Sequence, residues 1–189
     1  MKIGLYFGSF NPVHTGHLII AKHILNNTDV QQVWMVISPQ NPLKQSASLL
    51  NEYARLNLVQ TAIEGEYNLK VSKVEFNLPK PSYTVDTLAY LKEKYSLHEF
   101  SIIIGSDSFC NLTKWKNYKV IIKNHLLYVY KRPGFDIENI INATIKILDA
   151  PLLQISSTLI RNLIKEGKSI RYLLPDAVKE EIEKNNYYR

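Results

Sequence analysis

The chain has 189 residues, 46% of them hydrophobic, and a formal net charge of +6 at pH 7. This length fits one domain, residues 1–189, and this apolar fraction can fill a core, which excludes a disordered chain. The single cysteine, Cys110, excludes an internal disulfide and suits a reducing compartment, and no apolar run reaches the roughly 20 residues of a membrane helix.

From the start of the chain, "KIGLYF" at 2–7 reads as a buried strand. Its apolar run breaks at Gly8, Ser9, Asn11 and Pro12 without a cleavage site, so it is no signal peptide and a cytoplasmic location is expected. Residues 16–26 read as a helix and "VWMVIS" at 33–38 as the next strand. Pro39 and Pro42 make 38–48 a loop. A helix over 49–63, a strand "LKVSKVEF" over 69–76 and a proline-punctuated loop over 77–83 follow. Thr84 opens a helix running to 95, with Asp86 in its first turn, where a negative charge suits the helix dipole. "FSIIIG" at 100–105, "LLYVYK" at 126–131 and "TIKILDA" at 144–150 complete the strands. Ser156 or Ser157 caps a helix that stops near Gly167, and Pro175 opens the last one.

Strands that read as near-continuous apolar runs and alternate with helices imply a parallel sheet covered on both faces. The expected fold is therefore α/β and doubly wound, with a helical C-terminal part from about residue 155. Ligands of such folds bind beyond the C-terminal ends of the strands, which gathers the loops 8–17, 38–44, 77–84 and 105–115 in one place. Between Asp107 and Asp136 there is no acid, while Lys114, Lys116, Lys119, Lys123, Lys131 and Arg132 all fall there. That stretch is either a solvated basic face or a bias toward anionic partners.

The stretch "GSFNPVHTGHL", Gly8 to Leu18, places two histidines at the junction of a strand and a helix. Gly8 lets the backbone turn closely around a ligand. The amides of Gly8, Ser9 and Phe10 and the following helix N-terminus can face an anion. His14 and His17 can then converge on one phosphate as donors. Such histidines can instead be surface or capping residues. A zinc pair is a further option, but no Cys, Asp or Glu in the motif completes a metal site. The Walker loop and the G-x-G-x-x-G fingerprint are both missing.

The pattern "GSFNPVHTGH" resembles the G-x-F-x-P-x-H-x-G-H signature of the H-x-G-H nucleotidyltransferase superfamily, and "ISSTLIR" at 155–161 resembles its second mark. "PSYTVDTL", "GSDSF…LTKWKNY", "YKRPG" and "YLLPDAV" are similar to blocks of the bacterial nicotinate-nucleotide adenylyltransferases, and the resemblance covers nearly the whole chain. It implies a Rossmann-like fold and transfer of AMP from ATP to nicotinate mononucleotide, giving nicotinate adenine dinucleotide and pyrophosphate in NAD synthesis. It also implies a Mg2+ ion carried by the triphosphate, with no metal held by the protein alone.

On that resemblance His14 and His17 serve the ATP phosphates, and Gly8, Ser9, Phe10, Ser156, Ser157 and Arg161 hold ATP. Asp107 takes ribose hydroxyls. Lys44 contacts phosphate at the mononucleotide, Thr84 the nicotinate carboxylate, and Trp115 the pyridine ring. Two departures stand out. "PQNPLK" has Leu43 where a histidine is usual, and Lys116 stands where some members carry an aromatic, with Tyr118 as a substitute wall. The alternatives are a phosphopantetheine or nicotinamide-nucleotide adenylyltransferase and, in another class, a basic nucleic-acid-binding module. The last is disfavoured because most of the twelve tyrosines fall at core-like positions or at the C-terminus. Neither nucleic acid nor membrane is expected as a partner, and a homo-oligomer remains open.

Overall fold

The computed structural model describes residues 1–40, 49–138, 141–151 and 153–189. Six strands form one sheet: β1 (Lys2–Gly8), β2 (Gln32–Ile37), β3 (Leu69–Ser72), β4 (Glu99–Gly105), β5 (Leu127–Tyr130) and β6 (Ile145–Leu148). Their order is β3-β2-β1-β4-β5-β6, and every pairing is parallel. In β1, Tyr6 lies opposite Met35 on one side and Ile103 on the other. The helices are α1 (Thr15–Asn27), α2 (Glu52–Ala62), α3 (Thr84–Lys94), α4 (Ser106–Cys110), α5 (Tyr118–Asn124), α6 (Ser157–Lys165) and α7 (Asp176–Lys184).

Alternation along the strands divides the core in two. Tyr6, Val33, Met35 and Ile103 point to one face, where Ile20 and Ile24 of α1, Leu58 of α2, Ile160 of α6 and Val178 of α7 cover them. Ile3, Leu5, Val36, Ile102 and Ile104 point to the other, against Leu88 and Leu91 of α3 and Ile121 of α5. The strand order reverses between β1 and β4. The crevice beyond their C-terminal ends, at Gly8 and Gly105, is the switch point where such sheets take ligands.

The expected strand over 69–76 stops at Ser72, and Val74–Asn77 winds into a 3-10 turn. The alternating pattern gives way there because Glu75 turns inward to accept hydroxyl hydrogen bonds. The stretch 105–115, read as a loop, forms α4 and a 3-10 turn at Leu112–Lys114, and α5 follows it. The helix expected over 49–63 begins at Glu52, because the Asn51 side chain accepts from the Tyr53 amide at 2.9 Å and caps it. Ser156, not Ser157, is the cap of α6, accepting from the Leu159 amide at 3.1 Å. Pro175 sits just outside α7 instead of at its first position.

Candidate active site

A cleft of about 740 Å³ opens at the switch point. Gly8 and Ser9 reach it from the end of β1, Gly105 and Asp107 from the end of β4, Thr84 from the start of α3, and Trp115 and Lys116 from the segment before α5. Tyr6 and Tyr130 line both this cleft and a small adjoining hollow that holds His14, His17 and Arg132. Two glycines permit the close approach. A Cβ on Gly8 would lie 2.8 Å from the Phe10 ring, and a Cβ on Gly105 would collide with the Asp107 carboxylate. Phe10 itself is a buried plug with a left-handed backbone (φ 44°), its ring edge-on to His17 at 5.0 Å between centroids.

The two imidazoles stack at 3.7 Å, tilted by 28°. His17 Nδ1 accepts a hydrogen bond from the His14 backbone amide at 3.2 Å, so the ring proton of neutral His17 resides on Nε2. Burial, with the Arg132 cation nearby, lowers His14 to about 4. Burial, then His14 and Arg132, holds His17 well below its usual value. Both rings are therefore neutral at pH 7, and each keeps one N–H to donate. His14 Nδ1 is buried and makes no hydrogen bond among the described residues.

The start of α6 is tied to the first motif. Ser157 Oγ donates to the Pro12 carbonyl at 2.8 Å, and Arg161 Nη1 to the Asn11 carbonyl at 2.7 Å, while Arg161 Nη2 reaches Thr158 Oγ1 at 3.1 Å. Ser156, Ser157 and Arg161 thus stand beside the histidine loop, outside the lining of the cleft. Asp107 Oδ1 lies 3.8 Å from Arg132 Nε, which fixes a carboxylate at the cleft next to a cation. Tyr118 does not reach the cleft. At the first position of α5 it is partly buried and packs against the core cluster on that face of the sheet, and the wall is made by Trp115 and Lys116. Lys44 lies outside the described residues.

Three residues that the sequence did not single out belong to the site. Arg55 is fully buried, and its guanidinium donates to four carbonyls: Ser9 at 2.6 Å, Ser38 at 2.8 Å, Leu50 at 2.8 Å and Pro39 at 3.1 Å. It holds the β1–α1 and β2–α2 connections together. A signal existed, because Arg55 shares the buried stripe of α2 with Leu58 and Val59. Glu75 lines the cleft while 2% exposed, and accepts from Ser82 Oγ at 2.6 Å and Thr87 Oγ1 at 2.9 Å. Burial raises its pKa. Arg132 donates to the Tyr130 hydroxyl at 3.2 Å and stands over that ring. Its place in "YKRPG" and in the acid-free basic stretch between Asp107 and Asp136 hinted at it.

Among the described residues, no group of three or more His, Cys, Asp or Glu side chains is placed to hold a metal ion. Nor is any helix among them long and apolar enough to cross a membrane.

A parallel sheet with a switch-point cleft and paired histidines at the first strand–helix junction defines an α/β nucleotidyltransferase, and a model of the cytidylyltransferase-like family matches residues 5–163. A protein of Flavobacterium johnsoniae named "Probable nicotinate-nucleotide adenylyltransferase" is 53% identical over 192 residues, covering 100% of both chains. One of Flavobacterium psychrophilum with the same name is 52% identical at the same coverage. This chain belongs to the nicotinate-nucleotide adenylyltransferase family. The structure of Plasmodium falciparum nicotinic acid mononucleotide adenylyltransferase complexed with NaAD shares the fold, with a TM-score of 0.85 over 99% of this chain and 97% of that one at 22% identity.

Proposed function

We propose that this protein, a single nucleotidyltransferase domain of the cytoplasm, moves AMP from ATP to nicotinate mononucleotide in NAD synthesis. A phosphate oxygen of the mononucleotide attacks the α-phosphorus of ATP. The new P–O bond forms as the bond from the α-phosphorus to the bridging oxygen breaks, and that oxygen leaves with pyrophosphate. The nucleophile is already anionic, so no general base is required, and the protein's task is positioning and charge stabilisation. The observation that carries this reading is a cleft with the N-terminus of α3 on its wall, joined through Tyr6 and Tyr130 to a hollow that holds two neutral imidazoles.

His14 and His17 donate to the α-phosphate and the departing pyrophosphate. Ser9 offers its amide, and Arg161 and the start of α6 hold the triphosphate from the far side of the histidine loop. Asp107, at the end of β4, accepts from ribose hydroxyls. Trp115 faces the pyridine ring, and the first amides of α3 with the Thr84 hydroxyl take the nicotinate carboxylate. Magnesium needs oxygen ligands, which the triphosphate itself supplies, so the cation rides on the substrate and neutralises its charge. The donor set around the histidines, imidazole and guanidinium, suits phosphate oxygens and not the metal.

Pyrophosphate release from ATP tests the reading, with nicotinate mononucleotide, nicotinamide mononucleotide and phosphopantetheine offered separately. The highest kcat/KM is expected for nicotinate mononucleotide. A higher value with either rival acceptor would replace this assignment.

A further inference from the structure

The surroundings of Lys116 give its ammonium a defined place. The Lys116 Nζ lies 2.9 Å from Asp86 Oδ2 and 4.7 Å from the centre of the Tyr83 ring. Asn117, left-handed at φ 51°, makes the turn that follows it. Lys116, Tyr83 and Thr84 all line the cleft, and Asp86 sits in the first turn of α3, directly behind.

That turn carries two opposing fields. The Thr84 and Val85 amides occupy the first two helical positions, where no carbonyl within the helix can accept from them, so they favour an anion. The Asp86 carboxylate, in the same first turn, repels one. Its usual use, to stabilise the helix through the dipole, works against any acidic ligand at the same terminus. Lys116 is the cation paired with it.

We propose that Lys116 is a specificity residue, whose ammonium cancels the Asp86 charge at the N-terminus of α3 and so lets the cleft prefer an acid to its amide. This rests on the adenylyl-transfer reading. The side chains of both partners are 45% exposed, so the effect is that of a partly screened charge and not of a buried ion pair. A neutral carboxamide feels little of the field, and the acid feels all of it.

The test is the ratio of kcat/KM for nicotinate mononucleotide over nicotinamide mononucleotide in five proteins: wild type, Lys116→Met, Lys116→Arg, Asp86→Asn and the Lys116→Met/Asp86→Asn double variant. Removing the ammonium should lower the ratio about tenfold, the size expected of one partly screened charge. The loss should appear in KM for the acid, with KM for ATP unchanged. Lys116→Arg should keep the wild-type ratio, Asp86→Asn should keep or raise it, and the double variant should return to within about threefold of wild type, as pairwise cancellation requires. Unchanged thermal melting shows that all five are folded. An unchanged ratio in Lys116→Met, or a double variant as low as that single one, overturns the proposal. A wild-type ratio at or below one overturns the adenylyl-transfer reading instead, which keeps the two failures apart.

Discussion

At the scale of single residues, the two histidines differ in what their nitrogens can do. His17 Nδ1 is occupied by the His14 amide, so only Nε2–H is free to donate. His14 keeps an unpartnered Nδ1 in a buried setting. Loss of one preorganised donor costs roughly 100- to 1000-fold in kcat, so His17→Ala and His14→Ala should each fall by that factor while their far-UV spectra stay native. Near-wild-type turnover in either would remove that residue from the chemistry. The same neutrality has a cost in acid. His14 is lowered to about 4 in the folded protein and His17 is also held well below its usual value, whereas both titrate near 6.5 when unfolded. The unfolded state therefore binds more protons below 6.5. The stability these rings confer is intact above that value and is lost as pH falls from 6.5 toward 4. Thermal melting of wild type should drop across that window, and a His14→Gln/His17→Gln variant should drop less. Parallel curves would mean that the rings are not held neutral.

Among elements, the site depends on loops that side chains far away in sequence hold in place. Arg55 in α2 joins Ser9, Ser38, Pro39 and Leu50. Arg55→Met would strand these carbonyls in partly buried surroundings, where an unsatisfied group costs about 1–3 kcal/mol each, partly offset by no longer burying a cation. A net loss of roughly 2–4 kcal/mol is expected, read as a lower urea midpoint at unchanged m. Arg55→Lys should recover little of it, since an ammonium cannot span four acceptors. At α6, Arg161→Lys should weaken ATP use and leave KM for the mononucleotide nearly unaltered; the reverse split would move Arg161 to the other substrate. These contacts also mark where sequence reading stops. The β1, β2, β4 and β5 runs and the helices α1, α2, α3 and α6 were legible because burial imposes a period on them. The histidine pair was legible because its spacing is local. Helices of five and seven residues, α4 and α5, are too short to show a period, and "LKVSKVEF" alternates like a strand until Glu75 meets Ser82 and Thr87. Arg55 acts on Ser9, 46 residues away, and no local pattern reports that. Tyr118 is aromatic and close to Trp115 in sequence, yet from its place on α5 it packs against the core cluster and does not line the cleft.

For the whole molecule, the question is what the net charge of +6 does for a protein whose substrates are polyanions. The acid-free stretch between Asp107 and Asp136 contributes Lys114 and Lys116 to the cleft, and Lys131 and Arg132 to the hollow beside the histidines. Two of these cations are already engaged, Lys116 by Asp86 and Lys131 by Asp149 at 3.3 Å. Among the described residues Lys114 donates to the neutral Asn111 Oδ1, at 2.8 Å, and to no carboxylate, so its charge stays available to the cleft. Arg132 lies near Asp107 at 3.8 Å, but the same Arg132 charge is felt by both histidines. The sum is a positive field at the C-terminal edge of the sheet, where strand ends and helix N-termini already favour anions. Such a field reaches about 10 Å in 0.1 M salt and roughly a third of that in 1 M, so it should contribute to ATP affinity at low salt and fade at high salt. The dissociation constant for ATP, measured by calorimetry at a fixed magnesium excess, should rise about tenfold between roughly 0.05 M and 0.5 M sodium chloride. Lys114→Gln should lower the affinity at low salt and flatten the slope, with little change at high salt, where its charge is screened. An ATP affinity indifferent to salt would mean that short-range contacts from the histidines, Ser9 and α6 supply all of the binding and that the basic stretch is only a solvated face.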